Sequence, residues 1–145
     1  MTVQTHGLEA ALDWRVREGW RLNAAYTYAH TNVSDDALDI VDDYEGGVPR
    51  HLLSLRSHTE LSSTLDGDLW LRYVAQRPMD KVPDRRVGSY LTLDARLAWT
   101  PRKKLELSLV AQNLLGDHTE FVSDVFASAV VQVQRGVYGQ VRWEF

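Results

Sequence analysis

Seven short segments of this sequence alternate between two kinds of side chain. In Gly7–Arg17, Leu8, Ala10, Leu12, Trp14 and Val16 occupy one parity, and mostly charged residues occupy the other. Successive side chains of a β-strand point to opposite faces, so this pattern predicts a strand with one apolar and one charged face. The pattern recurs in Trp20–Ala29, Leu52–Leu61, Asp68–Gln76, Leu91–Trp99, Leu105–Ala111 and Val137–Phe145. The apolar parity covers 33 positions, none of them charged, so an extensive apolar surface must lie against it.

The connections between these segments alternate in length. The short ones are Glu18-Gly19, Ser62–Gly67 and Pro101–Lys104, where Gly19, Asp66-Gly67 and Pro101 are expected to set the backbone. The long ones are Thr31–Arg50, Arg77–Tyr90 and Asn113 to about Ala129. We therefore predict an all-β, antiparallel up-and-down meander of about seven strands, with one tight rim and one rim of long loops.

If the sheet closes into a transmembrane barrel, seven is an unusual number of strands. No alternation marks another strand within Ser34–Val48 or Gly116–Ala129, and the last strand is instead expected to begin as early as Ala129–Val133. Backbone groups in lipid must all be paired, and bacterial single-chain barrels have even strand numbers. Seven strands ending in an aromatic residue therefore indicate the C-terminal part of a larger barrel.

Composition excludes several classes of protein. The 145 residues carry a net charge of −4, which gives no case for nucleic-acid binding, and no cysteine, which excludes disulfides and thiolate metal sites. No apolar run reaches the ~18 residues of a membrane-spanning helix. No signal peptide precedes the first strand, so we expect the exported protein to be longer than this sequence.

Aromatic residues of the apolar parity lie near the strand ends. Those at the short-turn end are Trp14, Trp20, Trp99, Trp143 and Phe145, and those near the other end are Tyr26, Tyr28 and Tyr73. Trp and Tyr concentrate where hydrocarbon meets lipid headgroups, so the two sets are predicted to form two membrane-interface belts. Trp70 lies on the charged parity and is assigned to the barrel interior.

A transmembrane barrel explains the uncharged parity better than a soluble lipocalin-like barrel or a β-sandwich. Arg or Lys facing lipid at mid-depth costs about 2–4 kcal/mol, whereas soluble sheets tolerate stray exposed apolar and buried polar residues. The charged parity is then predicted to face the lumen, through Glu9, Asp13, Arg15, Arg21, Arg56, Glu60, Arg72, Asp94, Arg96, Glu106, Arg142 and Glu144.

No pattern indicates enzymatic chemistry. The five histidines lack metal-ligand spacing, and neither a Gly-x-Ser-x-Gly elbow nor a glycine-rich phosphate loop is present. Acidic residues crowd the first long loop, from Asp35 to Glu45, without the spacing of an EF-hand loop. We predict no catalytic residue, no metal site and no cofactor.

Several motifs resemble those of TonB-dependent outer-membrane receptors, which transport iron–siderophore complexes, haem or cobalamin. The resembling motifs are Gly7-Leu8-Glu9-Ala10, Gly47-Val48-Pro49-Arg50-His51, Ala111-Gln112-Asn113-Leu114-Leu115-Gly116-Asp117 and the ending Arg135–Phe145. The Asn-Leu-Leu-Gly-Asp element, with His118 and Phe121 after it, is the most specific of them. The resemblance covers essentially the whole chain and would make its strands the last seven of 22.

The resemblance implies partners that the sequence does not contain. Family members carry an N-terminal plug domain, which the lumen-facing charges would contact, and a short box that contacts TonB. The sequence contains neither the plug domain, nor the TonB-contacting box, nor the earlier strands. Residues 1–145 are therefore expected to be the C-terminal barrel segment. The implied partners are outer-membrane lipid, the plug, the remaining strands, TonB through the missing region, and an iron chelate or similar small ligand.

The three long connections are expected to contribute to ligand binding, although the identity of the ligand is not predicted. By location alone, the candidate contacts are His30, Tyr44, Arg77, Lys81, Arg85, Arg86, Phe121 and Phe126. Two other hypotheses stay open. A small complete barrel with an adhesion or structural role requires an eighth strand closing on the first, and a soluble ligand-binding barrel requires tryptophans packed inside.

Overall fold

A computed structural model describes residues 2–34, 49–76, 87–122 and 130–145, and within these ranges the regular structure is entirely β. Nine strands follow one another: β1 (Thr2–Arg17), β2 (Trp20–Ser34), β3 (His51–Ser62), β4 (Leu65–Val74), β5 (Tyr90–Arg102), β6 (Leu105–Gln112), β7 (His118–Val122), β8 (Val130–Val133) and β9 (Gly136–Trp143). The described residues contain no helix long and apolar enough to cross a membrane.

The main sheet is an antiparallel meander of seven strands in the order β1-β2-β3-β4-β5-β6-β9, which confirms the predicted fold. Strands β7 and β8 pair only with each other among the described strands and form a separate hairpin between β6 and β9. The two outer strands of the main sheet, β1 and β9, do not pair with each other in the described residues. The structure therefore gives no support to a small barrel closed by an eighth strand.

The short turns are tighter than the sequence predicted. Each of the three turns has two residues. The first is Glu18-Gly19, as predicted, and Gly19 has a φ of 70°. The other two are Ser63-Thr64 and Lys103-Lys104, which are shorter than the predicted connections. The Asp66-Gly67 pair does not form a turn, because both residues lie in β4 and pair with β3. Pro101 does not form one either. It lies in β5 between Trp99 and Arg102, where a bulge accommodates a residue that lacks a backbone N–H.

A bulge precedes each of the three short turns. The register shifts between Arg15 and Arg17, between Glu60 and Ser62, and between Trp99 and Arg102. A bulge places two residues opposite one, which bends the strand and increases its twist. The alternation of faces therefore ends one or two residues before each turn.

The prediction that Gly116–Ala129 contains no strand was wrong, because β7 begins at His118. This strand has five residues and a bulge between Thr119 and Phe121, so no two-residue period develops. The segment Ala129–Val133 is also not an early part of the last strand. It supplies β8, which ends before Gln134 and Arg135, and β9 begins at Gly136.

The strand register carries each face across the whole main sheet. At mid-sheet, Leu12, Ala24, Leu55, Leu71 and Leu93 are consecutive partners on one face. Leu12 is 58% exposed and no large side chain is fully buried among the described residues. The chain therefore does not bury its large apolar residues against itself, contrary to what a closed soluble barrel or a sandwich requires.

Candidate functional site

The face opposite the leucines carries the charged residues, and we call it the polar face. Its centre is Asp68 on β4, whose side chain is 13% exposed. Arg96 donates from Nη1 to Asp68 Oδ2 at 3.0 Å, and His58 Nδ1 lies 3.0 Å from Oδ1. Arg96 also donates from Nη2 to Glu106 Oε1 at 2.6 Å, and Arg56 lies 3.8 Å from Asp68. These contacts link the four strands β3 to β6.

Asp68 is absent from the predicted set of lumen-facing charges, although the alternation could have found it. It precedes Trp70 by two residues and Arg72 by four, and both were assigned to the same parity. The hydrogen-bonding role of His58 was also missed. A histidine on a polar parity has no distinguishing pattern in the sequence, and its role depends on the residue opposite it, which is Asp68.

A second group on the polar face surrounds Trp70. Arg72 donates from Nη2 to Asp94 Oδ2 at 2.6 Å, and its guanidinium carbon lies 4.3 Å from the centre of the Trp70 ring. The Trp70 indole N–H donates to Ser54 Oγ at 2.7 Å, which fixes the ring on the polar face where the alternation placed it. Stacking of a guanidinium on an indole is favourable in its own right.

The polar side chains of β1 and β2 are arranged differently. Arg15 and Arg21 lie directly opposite each other, and among the described residues Arg21 has only a long contact of 3.9 Å with Asp13 while Arg15 has no ion pair. Like charges directly opposite on neighbouring strands repel each other. The polar face therefore consists of a self-paired part on β3 to β6 and an open part on β1 and β2.

Three of the remaining predicted lumen charges lie on strands and one lies just after β9, but the structure does not bring them into the ion-pair network. Within the part of the chain that is described, Glu9 on β1, Glu60 on β3 and Arg142 on β9 make no ion pair, and Glu144 follows β9. The Glu144 backbone N–H donates to the carbonyl of Lys104. Position on the polar parity thus does not by itself determine which charges pair.

Asn113 connects the polar face to the β7–β8 hairpin. It is only 4% exposed and adopts a φ of 56°. Its backbone N–H donates to Asp94 Oδ1 at 2.9 Å, and its side-chain amide donates to the Val133 carbonyl at 2.8 Å. His118 Nδ1 lies 3.2 Å from Asn113 Oδ1, and the His118 ring stacks on Tyr90 at 4.3 Å. The sequence singled out this motif but gave no role to Asn113.

The predicted interface aromatics lie on the apolar face in two groups. Trp14, Trp99 and Trp143 are each at least half exposed and lie close to the short turns, and Phe145 stacks on Trp143 at 6.2 Å. Trp20 is less exposed, and its indole N–H donates to Ser57 Oγ at 3.0 Å. Trp20 does not need an external partner for its N–H.

Two members of the second group, Tyr28 and Tyr73, lie eight residues from the level of the first group along the strands. Tyr28 follows Trp20 by eight residues, and Tyr73 follows Leu65, the partner of Trp99, by eight. Eight residues span about 26 Å of strand. Tyr26 and Tyr28 also contact His51, with the Tyr26 hydroxyl 2.9 Å from His51 Nδ1.

Most of the predicted ligand contacts lie outside the described residues: Tyr44, Arg77, Lys81, Arg85, Arg86 and Phe126. The acidic stretch from Asp35 to Glu45 also lies outside them. His30 lies near the end of β2, and Phe121 belongs to β7. No group of three potential metal ligands occurs among the residues that the structure describes.

The fold and the two faces define a class, namely a multi-strand segment of a β-barrel with one uncharged face. Residues 2–114 match the family model described as TonB dependent receptor-like, beta-barrel. The match covers well over half of the chain, which therefore belongs to this family. Homologues in the family are outer-membrane proteins. None of the curated protein sequences matches the chain.

Solved structures agree on the fold. The ferric-catecholate import receptor Fiu from E. coli K12 superposes with a TM-score of 0.82 at 16% identity, covering 99% of this chain and 21% of that one. The ferric yersiniabactin uptake receptor FyuA from Yersinia pestis gives 0.78 at 20% identity, covering 99% and 24%. The copper transporter OprC gives 0.76 at 18% identity, again covering 99% and 24%. The chain thus spans less than a quarter of the length of these proteins.

Proposed function

We propose that this chain is the C-terminal barrel segment of a TonB-dependent receptor, that it lies in the bacterial outer membrane, and that it serves the uptake of an iron–siderophore type of ligand. It supplies barrel wall and ligand-side connections, and no catalytic step. The plug domain and the earlier strands would belong to the same receptor, and TonB would act through its N-terminal region.

The observation that carries the proposal is the exposed, uncharged face of the seven-stranded sheet. Most of the large exposed apolar side chains lie on this face, and along its strands they range from Tyr73 at 36% to Val141 at 67%. Soluble monomers rarely expose contiguous apolar patches of more than a few hundred Å². Lipid hydrocarbon covers such a face without requiring a partner protein, and the two aromatic groups lie where the lipid headgroups would begin and end.

The open part of the polar face supports contact with a plug domain. Arg96 and Arg72 each form an ion pair with a carboxylate of the same sheet. Arg15 and Arg21 form no close ion pair among the described residues, and they lie at the short-turn end of β1 and β2. An acidic group of the plug placed between these two guanidinium groups would relieve their repulsion. We therefore propose that the plug contacts the wall mainly at β1 and β2.

The ligand class is proposed from the family and from the relatives of similar fold. Fiu and FyuA are named for the import of ferric complexes, and OprC for copper. Uptake of radioactive iron supplied with catecholate, phenolate or hydroxamate siderophores, by cells with and without the gene, tests the class. Copper uptake in the same cells is the competing outcome.

A matched pair of substitutions on β1 tests the membrane orientation. Leu12 and Ala11 are neighbours, both are exposed, and they lie on opposite faces. Leu12→Arg should prevent assembly into the outer membrane, because an arginine facing hydrocarbon at mid-depth costs about 2–4 kcal/mol. Ala11→Arg adds the same side chain to the polar face and should assemble normally.

The measurement is the amount of protein in the outer-membrane fraction that keeps a heat-sensitive gel mobility. Equal assembly of the two variants would contradict the assignment of the apolar face to lipid. Equal failure of both would contradict the assignment of the polar face to a wet interior.

A further inference from the structure

Asn113 lies at the only place in the described residues where polar side-chain contacts join the wall to both strands of the β7–β8 hairpin. The wall side of this junction consists of Asp94, which receives Arg72 on one carboxylate oxygen and the Asn113 backbone N–H on the other. A neighbouring backbone bond, from Leu114 N–H to the Leu93 carbonyl at 2.8 Å, holds the same turn against β5.

The hairpin side consists of two contacts made by one side chain. The Asn113 amide group donates to the carbonyl of Val133 at the end of β8. Its oxygen lies 3.2 Å from Nδ1 of His118 at the start of β7. A primary amide carries a donor and an acceptor a short distance apart, so Asn can satisfy both strands at once.

The backbone requirement narrows the choice of residue further. A φ of 56° lies in the left-handed region, which Asn adopts more readily than most other residues with a side chain. Asp adopts it too, but its carboxylate cannot donate to the carbonyl of Val133. Gly adopts it without offering either contact. Only Asn combines the left-handed turn with a donor and an acceptor.

We propose that Asn113 is a positioning residue, which fixes the β7–β8 hairpin on the barrel wall through a continuous path from Arg72 and Asp94 to Val133 and His118. The anchor rests on these contacts alone. Its consequence for uptake rests on the proposed function, since the hairpin forms part of the third long connection, where the ligand would be met.

The test uses a spin label on the hairpin. The 145 residues contain no cysteine, so Gln134→Cys, an exposed position directly after β8, gives this chain a single labelling site. Electron paramagnetic resonance of the labelled full-length protein in outer-membrane vesicles reports hairpin mobility, and it requires neither ligand nor transport.

The central variants are Asn113→Asp and Asn113→Gly. Both keep the backbone conformation, and both remove the donor to Val133. We expect the mobile fraction of the label to rise about five- to tenfold, the effect of losing one hydrogen bond of ordinary net strength. Asp117→Asn is the matched control. It exchanges a carboxylate for an amide, the reverse of Asn113→Asp, and it does so in the same turn at a side chain that is exposed. It should leave the spectrum unchanged.

The outcomes separate the anchor from a general effect on folding and from the proposed function. An immobile label in Asn113→Gly, with the protein assembled, overturns the anchor. An equal rise in Asp117→Asn also overturns it, since any change in the turn would then suffice. Because Gly permits the same φ without strain, we expect the Asn113→Gly variant to assemble. If this variant fails to assemble while Asp117→Asn assembles normally, the side-chain contacts of Asn113 are what hold the hairpin and the wall together. The comparison is made between Asn113 variants in protein that has assembled, so a failed anchor and a failed lipid test at Leu12 give different results.

Discussion

Gly7 lies where the neighbouring strand leaves no space for a side chain. A Cβ atom at this position would lie 2.8 Å from the backbone carbonyl oxygen of Tyr28, closer than real Cβ atoms approach. Gly7→Ala should therefore lower the free energy of unfolding by about 1–3 kcal/mol, because backbone must shift to admit the methyl group. Gly136→Ala is the control, since nothing lies within 4 Å of its Cβ position.

The stabilities of the two Gly variants are compared by the midpoint of heat denaturation, followed by circular dichroism or by gel mobility. A similar midpoint for Gly7→Ala and Gly136→Ala would contradict the close approach of β1 and β2 at Gly7.

At the same scale, the sequence predicts which face of the sheet a residue lies on better than it predicts the solvent exposure of its side chain. Thr92, Ala98 and Ser108 all lie on the polar parity, yet each is buried. A short side chain between long ones is covered by its neighbours on adjacent strands, and which neighbours these are depends on the register. Alternation within one strand contains no information about register, so it also missed the position of Asp68 between Arg96 and His58.

At the scale of elements, the ion pairs around Asp68 link β3 to β6 in one network, and the Arg72–Asp94 pair is separate from it. The Asp68 side chain is mostly buried and accepts a hydrogen bond from Arg96 at 3.0 Å, so removing its charge breaks one of the two ion pairs of Arg96 and leaves only the pair with Glu106. Asp68→Asn should destabilise the sheet by about 1–3 kcal/mol. Asp13→Asn should have almost no effect, because that side chain is 65% exposed and lies 3.9 Å from Arg21.

Urea unfolding of the two variants in detergent micelles provides the comparison. High salt should weaken the small Asp13 effect and leave most of the Asp68 effect, because a buried pair is screened much less than an exposed one. Equal destabilisation by both substitutions would show that the network contributes no more than an exposed pair.

The elements themselves were largely predictable, and the exceptions have identifiable causes. Seven strands and their order follow from the two-residue period and the alternating connections. The turns at Ser63-Thr64 and Lys103-Lys104 did not follow, because Asp66-Gly67 and Pro101 resemble turn signals but lie in strands near a bulge. Strand β7 was missed because a bulge within five residues removes the periodicity, and the role of Asn113 depends on tertiary contacts with β8.

At the scale of the whole molecule, the described residues form no large buried core, and this property favours a lipid rather than an aqueous environment for the sheet. The buried apolar residues of the described chain include Ala75, Val87 and Ala98, whereas the large ones, such as Leu8 at 61% and Trp143 at 67%, remain exposed. A soluble domain of this size buries about two thirds of the surface of its unfolded chain around one apolar core. The structure instead places its apolar area on one side of a single sheet, so its stability must come from what covers that side.

The purified chain should consequently depend on an amphiphile for its dispersion. In detergent-free buffer we expect association into large particles, and in detergent micelles or lipid vesicles a dispersed form with the same strand content, because hydrocarbon replaces contact between apolar faces of different copies. Light scattering combined with circular dichroism measures both properties on one sample. A monomer with full strand content in plain buffer would match the soluble barrel hypothesis instead, and it would require the tryptophans near the short turns to be packed inside rather than half exposed.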